Sequence, residues 1–338
     1  MKLSFQALAE VKPGHKWRTL FEKNWPAYRN WFLSEGDGAR RPYGSSYRAL
    51  KDAMPELLPT YERLCKLVEG DELAARFLSL YCPPSYLVGC SQLVWLGEEP
   101  ILIRNYDYAP WLCEGTLWCT RWNSRRVIAM SDCAWGVLDG MNDAGLAVSL
   151  TFGGRRAVAD GFGTPLILRY VLEFAETAAE AASVLTRVPT HMAYNVTIVD
   201  RLGSIRTVYL SPNRPAVISG SPLATNHQGH VEWHRHAAFT NSLERERHLQ
   251  MRLGRKHDSL DELIADFHKP PLYSTEYERG FGTLYTAVYH VASGRAEFRW
   301  PKAAWTQSFE TFREGSHTIA YSPEMAARTQ ERSHGVEP

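Results

Sequence analysis

The spacing of the apolar residues changes at Pro83-Pro84, and this change limits the folds open to the chain. Upstream, apolar residues such as Trp17, Leu20 and Phe21 recur every three or four positions, which is typical of amphipathic helices. Downstream, short strand-like runs alternate with turn sequences. Helical patterns return over 165–187, 242–253 and 259–267. Strands on both sides of consecutive helices predict an α+β layered core and not a regular βαβ alternation.

Several individual elements can be predicted from the pattern. Residues 1 to about 89 are predicted to be mostly helical, with Pro26 starting a second helix or kinking the first. The strand-like runs predict three hairpins and two further pairs of strands. They lie at 91–96 with 101–104, 116–122 with 126–130, 135–138 with 145–152, 195–199 with 205–210, and 283–291 with 295–300.

Composition excludes several classes of function. The chain has 338 residues, with 38 Lys and Arg against 37 Asp and Glu, a net charge of +1. This balance argues against nucleic acid as a partner and against a polybasic membrane anchor. The sequence contains no apolar run long enough for a membrane span and no signal-peptide pattern. Six cysteines without an export signal indicate a reducing, cytoplasmic setting.

Cys90 differs from the other cysteines in its context. It follows Gly89 at the start of the first strand, where the pattern changes from helical to β. The predicted hairpin folds Arg104 and Asp107 back beside this start. A guanidinium near a thiol favours the thiolate and lowers the thiol pKa, as a catalytic cysteine requires. A structural cysteine beside a surface ion pair is the alternative.

Four short motifs follow one another along the chain: Gly89-Cys90-Ser91, Arg104-Asn105-x-Asp107, Gly140-Met141-Asn142-x-x-Gly145-Leu146 and Thr225-Asn226-His227. Together they resemble the penicillin acyltransferase (acyl-coenzyme A:isopenicillin N acyltransferase) family of N-terminal-nucleophile hydrolases. Choloylglycine hydrolases and penicillin V acylases are more distant relatives. The resemblance spans about 55 to 300 and implies a four-layer αββα sandwich with a helical N-terminal leader.

The resemblance also implies self-processing. Cys90 would attack the carbonyl of Gly89 and cut the precursor into a helical fragment, 1–89, and a catalytic fragment, 90–338. The freed α-amino group of Cys90 has an ordinary pKa of about 7.7–8.0, suitable for a base that accepts the thiol proton. The two fragments carry net charges of +3 and −2. Such weak complementarity predicts fragments that remain associated.

Roles follow for the other matched positions. Asp107 would orient the Cys90 amino group, and Arg104 would lie beside the nucleophile and contact substrate. Asn142 and Asn226 would donate hydrogen bonds near the scissile carbonyl, although an ordinary turn also explains Asn142. The family pattern further includes an arginine after a serine on the following helix.

Two arginines compete for that last role. Arg245 has the spacing of the family pattern, three residues after Ser242, and Arg247 is the alternative. A mixed-charge, solvent-exposed helix face would explain either residue without a function.

The predicted function is therefore a cysteine amidohydrolase or acyltransferase that acts on a linear amide of a small molecule through an acyl-Cys90 thioester. No cofactor is predicted, and coenzyme A as a co-substrate has no motif. Ser91 stands where the family commonly has Thr, and Gln228 stands where an aromatic residue often follows the Asn-His pair. These departures leave the substrate specificity open. The oligomeric state is open as well. The alternatives are a binding protein of the same fold that is not processed, and a metal-dependent hydrolase using the histidines between His227 and His236.

Overall fold

The structure is a computed structural model that describes residues 1–87, 89–255 and 259–321. Its strands are β1 (Lys2–Glu10), β2 (Gly89–Leu96), β3 (Pro100–Tyr108), β4 (Thr116–Thr120), β5 (Val127–Asp132), β6 (Gly136–Asn142), β7 (Leu146–Phe152), β8 (Tyr194–Asp200), β9 (Ile205–Leu210), β10 (Val217–Ser219), β11 (Leu223–Ala224), β12 (Gly282–His290), β13 (Arg295–Trp300), β14 (Ala303–Ser308) and β15 (Gly315–Ala320). Its α-helices are α1 (His15–Phe32), α2 (Tyr43–Ala53), α3 (Leu58–Leu67), α4 (Glu72–Leu78), α5 (Thr164–Phe174), α6 (Ala178–Arg187), α7 (His234–Phe239), α8 (Ser242–Leu253) and α9 (Leu260–Phe267).

The strands form two sheets. The larger has the order β10-β9-β8-β7-β6-β5-β4-β1-β15, and the smaller has the order β11-β2-β3-β12-β13-β14. Neighbouring strands are antiparallel except β1 and β4, which are parallel. The five predicted strand pairs are all present, with ends that differ by a few residues.

The two sheets pack face to face between helices. Gln92 on β2 reaches across to the larger sheet, where its amide donates to Thr197 at 2.7 Å and accepts from Ser149. On the outer side of the smaller sheet, Leu93 packs in a buried cluster with Leu249 of α8 and with residues of α9 such as Phe267. Helices α5 and α6 cover the larger sheet. This order confirms the predicted four-layer αββα sandwich.

The N-terminal segment is mostly helical, as predicted, but it begins with a strand that was not predicted. Its first element is β1, which lies between β4 and β15 inside the larger sheet. Phe5 and Ala7 alternate with exposed residues and are fully buried, so a period of two governs this stretch. The predicted cut lies between Gly89 and Cys90, both of which are described, whereas the preceding Val88 lies outside the described residues. Residues 322–338, which belong to the predicted second fragment, also lie outside them.

The structure differs from the predicted elements in three further respects. Pro26 lies within α1, which continues through it. The predicted helix 165–187 is two helices, because Thr177 caps the second one by accepting a hydrogen bond from the Glu180 amide at 3.2 Å. The strands β14 and β15 were not predicted. Within the described ranges, no helix is long and apolar enough to cross a membrane.

Candidate active site

Cys90 lies near the start of β2, fully buried, with its side chain between the two sheets. The antiparallel register of β2 and β3 places Cys90 opposite Tyr106 and Gln92 opposite Arg104. Side chains of Cys90 and Arg104 therefore share one face of the sheet. The Arg104 Nη2 atom lies 3.2 Å from the Cys90 sulfur. The hairpin thus brings the guanidinium to the thiol, as the sequence predicts.

Arg104 is itself held in place by residues that the sequence did not indicate. Its Nη1 pairs with Asp139 on β6, and both groups are fully buried. The hydroxyls of Tyr285 and Tyr289 donate to the same carboxylate. The guanidinium also lies over the Tyr106 ring, 4.7 Å from its centroid. The arginine at the sulfur is thus fixed from the opposite sheet.

Arg245 approaches Cys90 from the other side of the smaller sheet. It lies on α8 and is buried, whereas Arg247 is exposed, so the structure selects Arg245. Its Nη1 donates to the Cys90 carbonyl oxygen at 2.7 Å and to Ser91 Oγ at 2.9 Å. The same nitrogen lies 3.3 Å from Asp107 Oδ2. Arg245 therefore ties the nucleophile's main chain to the carboxylate.

Asn226 contacts the main-chain nitrogen of Cys90. Its Oδ1 accepts a hydrogen bond from that nitrogen at 3.1 Å and another from Arg245 Nη2. Its Nδ2 donates to the Phe152 carbonyl oxygen at 3.1 Å. The Ser242 hydroxyl fixes the Asn226 backbone by accepting from its N–H at 2.8 Å. Four predicted residues, Cys90, Arg104, Asn226 and Arg245, therefore form one contact network, and Asp107 joins it through Arg245.

Burial has the largest effect on the pKa values of Cys90 and Asp107. Burial raises the pKa of the Cys90 thiol, and the nearby Arg104 only partly opposes it. Arg104 thus lowers the thiol pKa, as expected from the sequence, but burial has the larger effect and the net shift is upward. Burial likewise raises the pKa of Asp107 to about 6, against the opposing effect of Arg245 and a 2.6 Å hydrogen bond from Thr283.

Asn142 is not part of the network, which corrects its predicted role. Its two amide hydrogens go to the carbonyl oxygens of Leu172 and Ala175 at the end of α5, at 3.0 and 2.7 Å. Its Oδ1 accepts from the backbone of Ala144 and Leu146 in the turn. With both N–H groups used, Asn142 has no donor for a reacting carbonyl. It holds the turn and the helix end, on the outer face of the larger sheet.

The histidines between His227 and His236 do not converge. His227 Nδ1 lies 2.8 Å from Ser242 Oγ, and its Nε2 lies 3.2 Å from Glu246. The His230 side chain is 77% exposed. Across the residues that the structure describes, no group of three or more metal-ligating side chains comes together. The metal-dependent alternative therefore has no site in this part of the chain.

The raised pKa of Asp107 gives a stability prediction. The folded value of about 6 lies above the ordinary value of 3.8, so between these pH values the folded protein binds more protons than the unfolded chain. The contribution of Asp107 to stability is therefore full below about pH 4 and decreases as the pH rises through 6, by at most about 3 kcal/mol. Denaturant unfolding from pH 4 to pH 7 should show a flatter pH dependence for Asp107→Asn than for wild type. Equal slopes would contradict this assignment.

The chain matches the model of one known protein family. The model of the family described as acyl-coenzyme A:6-aminopenicillanic acid acyl-transferase matches residues 95–305. No curated protein sequence matches the chain significantly.

Solved structures show distant similarity. A mutant conjugated bile acid hydrolase from Clostridium perfringens has 12% identity and a TM-score of 0.46, covering 69% of this chain and 97% of that one. Penicillin V acylase from Agrobacterium tumefaciens has 14% identity and a TM-score of 0.46, covering 67% and 90%. The Caenorhabditis elegans ortholog of N-acylethanolamine-hydrolyzing acid amidase has 16% identity and a TM-score of 0.43, covering 68% and 100%.

The family match spans most of the chain, including Arg104, Asp107, Asn226 and Arg245, and Cys90 lies just upstream of it. It confirms the resemblance that the four motifs indicate. The chain belongs to the acyl-coenzyme A:6-aminopenicillanic acid acyl-transferase family.

Proposed function

We propose that this protein is a self-processing cysteine N-terminal-nucleophile enzyme that hydrolyses a linear amide, or transfers its acyl group, through a thioester on Cys90. The supporting observation is the set of contacts around one residue. Arg104 lies at the Cys90 sulfur, Asn226 at its nitrogen and Arg245 at its carbonyl oxygen. A buried structural cysteine needs none of these groups.

Maturation would begin at the Gly89-Cys90 peptide bond. The Cys90 sulfur attacks the Gly89 carbonyl carbon, the C–N bond breaks, and the Cys90 nitrogen takes the thiol proton to become the amine. Water then hydrolyses the resulting thioester. Any Cβ at Gly89 would overlap the Phe281 ring and press on the Asp107 side chain, so the position accepts only glycine without rearrangement.

The cut would supply the base that the buried thiol lacks. The α-amino group of Cys90 has an ordinary pKa near neutrality and can accept the thiol proton. In this proposal Asn226 holds that nitrogen and its amide stabilises the developing oxyanion, a contribution of about 2.7–4 kcal/mol for one such donor. Arg104 lies beside the sulfur and contacts the substrate. Asp107 orients the amine through Arg245.

The acyl group would leave Cys90 by attack of water in hydrolysis or of an amine in transfer. Neither route needs a metal or organic cofactor, and coenzyme A enters only as the carrier of a thioester co-substrate. The proposed partner is a small-molecule amide in a cytoplasmic setting. Because β1 lies inside the larger sheet, the 1–89 fragment would remain bound after the cut.

A trapped intermediate tests this function. Wild-type protein is mixed with chromogenic N-acyl anilides of increasing acyl length and quenched with acid, which preserves thioesters. Denaturing mass spectrometry should show a protein mass increased by the acyl group less one proton, on the peptide containing Cys90. Anilide turnover with no adduct on Cys90 under any quench time, and full turnover by Cys90→Ala, would contradict the proposal.

A further inference from the structure

A cavity of about 140 Å³ opens between α1 and the segment that follows β3. Its volume is close to that of a cavity of about 150 Å³ that holds benzene in another protein, so it has room for a small organic group. We call it the aromatic cavity, because five of its lining residues are large aromatic side chains: Tyr28, Trp31, Tyr86, Tyr108 and Trp111.

Two carboxylates, Glu114 and Asp132, line the same cavity. The Tyr28 hydroxyl donates to Glu114 Oε2 at 2.6 Å and lies 3.3 Å from Asp132 Oδ1. Asp132 is only 9% exposed, and the Tyr28 hydroxyl and the Cys133 side chain lie against it. No lysine, arginine or histidine in the described ranges forms an ion pair with either acid.

Two residues that line the cavity carry buried polar atoms without a hydrogen-bond partner among the described residues. Within the described ranges these atoms are Glu114 Oε1 and the hydroxyl of Tyr86, a residue only 8% exposed. Burial raises the pKa of Asp132 to about 7, and the charge of Glu114 adds to this effect, while the charge of Arg104 opposes it without an ion pair. Two acids so close together that lack a directly paired cation are costly to ionise, and a positive group in the cavity would offset this cost.

The aromatic cavity adjoins the nucleophile. Tyr106 pairs with Cys90, and Tyr108 lies two residues further along β3 on the same face. At about 3.4 Å per residue, the cavity wall at Tyr108 begins about 7 Å along the strand from the position of the thiol. Tyr86 precedes the scissile Gly89 by only three residues. The cavity is thus placed to receive a part of the molecule that reacts at Cys90.

We propose that the aromatic cavity binds a protonated amine of the substrate. The enzyme would then prefer amides whose acyl or amine part bears an alkylammonium group. The faces of tyrosine and tryptophan rings attract cations, and the two carboxylates accept hydrogen bonds from an ammonium. An anionic group would be repelled, and a neutral alkyl group would leave both acids unpaired. This inference rests on the proposed function for its link to catalysis, but the binding step does not require turnover.

The test compares two probes of similar size, n-butylammonium chloride and n-butanol, by ligand-observed NMR titration at pH 8. It uses full-length wild type and Cys90→Ala, so that binding is measured with and without the nucleophile. We expect n-butylammonium to bind at least about tenfold more tightly than n-butanol in both proteins. Equal affinities, or tighter binding of n-butanol, would overturn the proposal even if Cys90 proves catalytic.

Matched variants locate the binding site. Asp132→Asn and Glu114→Gln, made separately, should each reduce the preference for n-butylammonium by about tenfold. Asp143→Asn is the control, because Asp143 pairs with Arg126 at the surface and does not line the cavity. A preference that persists in both cavity variants, or is lost equally in the control, would overturn the proposal. If one cavity variant does not fold, the other variant and the comparison of the two probes in wild type still test the proposal.

Discussion

Replacement of Cys90 by alanine should abolish amide cleavage, reducing kcat/KM at least about 10³-fold, because the sulfur that forms the thioester is gone. The variant should still fold, since Cys90 is a small buried residue and alanine fills most of its volume. Steady-state kinetics on an anilide substrate, with thermal unfolding as the check on folding, measure the effect.

A matched control is available on the same chain. Cys82→Ala removes another buried thiol, which lies against Asp160 and does not line the aromatic cavity, so the reaction at Cys90 should proceed at the wild-type rate. Cys90→Ser keeps a nucleophilic atom at the same position and should retain slow activity. Wild-type rates in a folded Cys90→Ala protein would contradict the role of the thiol.

The second large effect is expected at Arg245. A lysine there presents one nitrogen and cannot serve the Cys90 carbonyl, Ser91, Asp107 and Asn226 together, as the planar guanidinium does. Buried acceptors left unpaired cost about 1–3 kcal/mol of stability. We expect Arg245→Lys to lose about 10²-fold in kcat/KM and to unfold at lower temperature.

Arg247→Lys is the control for this change. It lies on the same helix but is exposed, so neither activity nor stability should change measurably. Kinetics and thermal unfolding of the two variants side by side make the comparison. Equal behaviour of the two variants would show that the network around Arg245 does not support the site.

The sequence predicts those parts of the fold that depend on local patterns. The hairpin of β2 and β3 follows from its turn, and with it the approach of Arg104 to Cys90. The strand β1 was missed although Leu3, Phe5 and Ala7 alternate, because its parallel partner β4 lies about a hundred residues away. Such pairing depends on contacts that no local window contains.

The same distinction between local patterns and contacts of distant residues applies to the candidate active site. Asn142 stands in a turn motif, and the ordinary turn explanation was the correct one, since its hydrogen bonds hold the turn and the end of α5. Asp139 could not be predicted, because its pairing with Arg104 depends on how β6 of one sheet packs on β3 of the other. The raised thiol pKa was also hidden, because burial is a property of the assembled layers.

The central claim is that Cys90 becomes an N-terminal nucleophile by cutting the chain before itself. Denaturing intact-mass measurement of freshly purified wild-type protein tests this most directly. We predict two chains, residues 1–89 and 90–338, that co-elute under native conditions, and a single uncut chain for Cys90→Ala. A wild-type chain that remains whole, with Cys90 inert to thiol reagents, would contradict it.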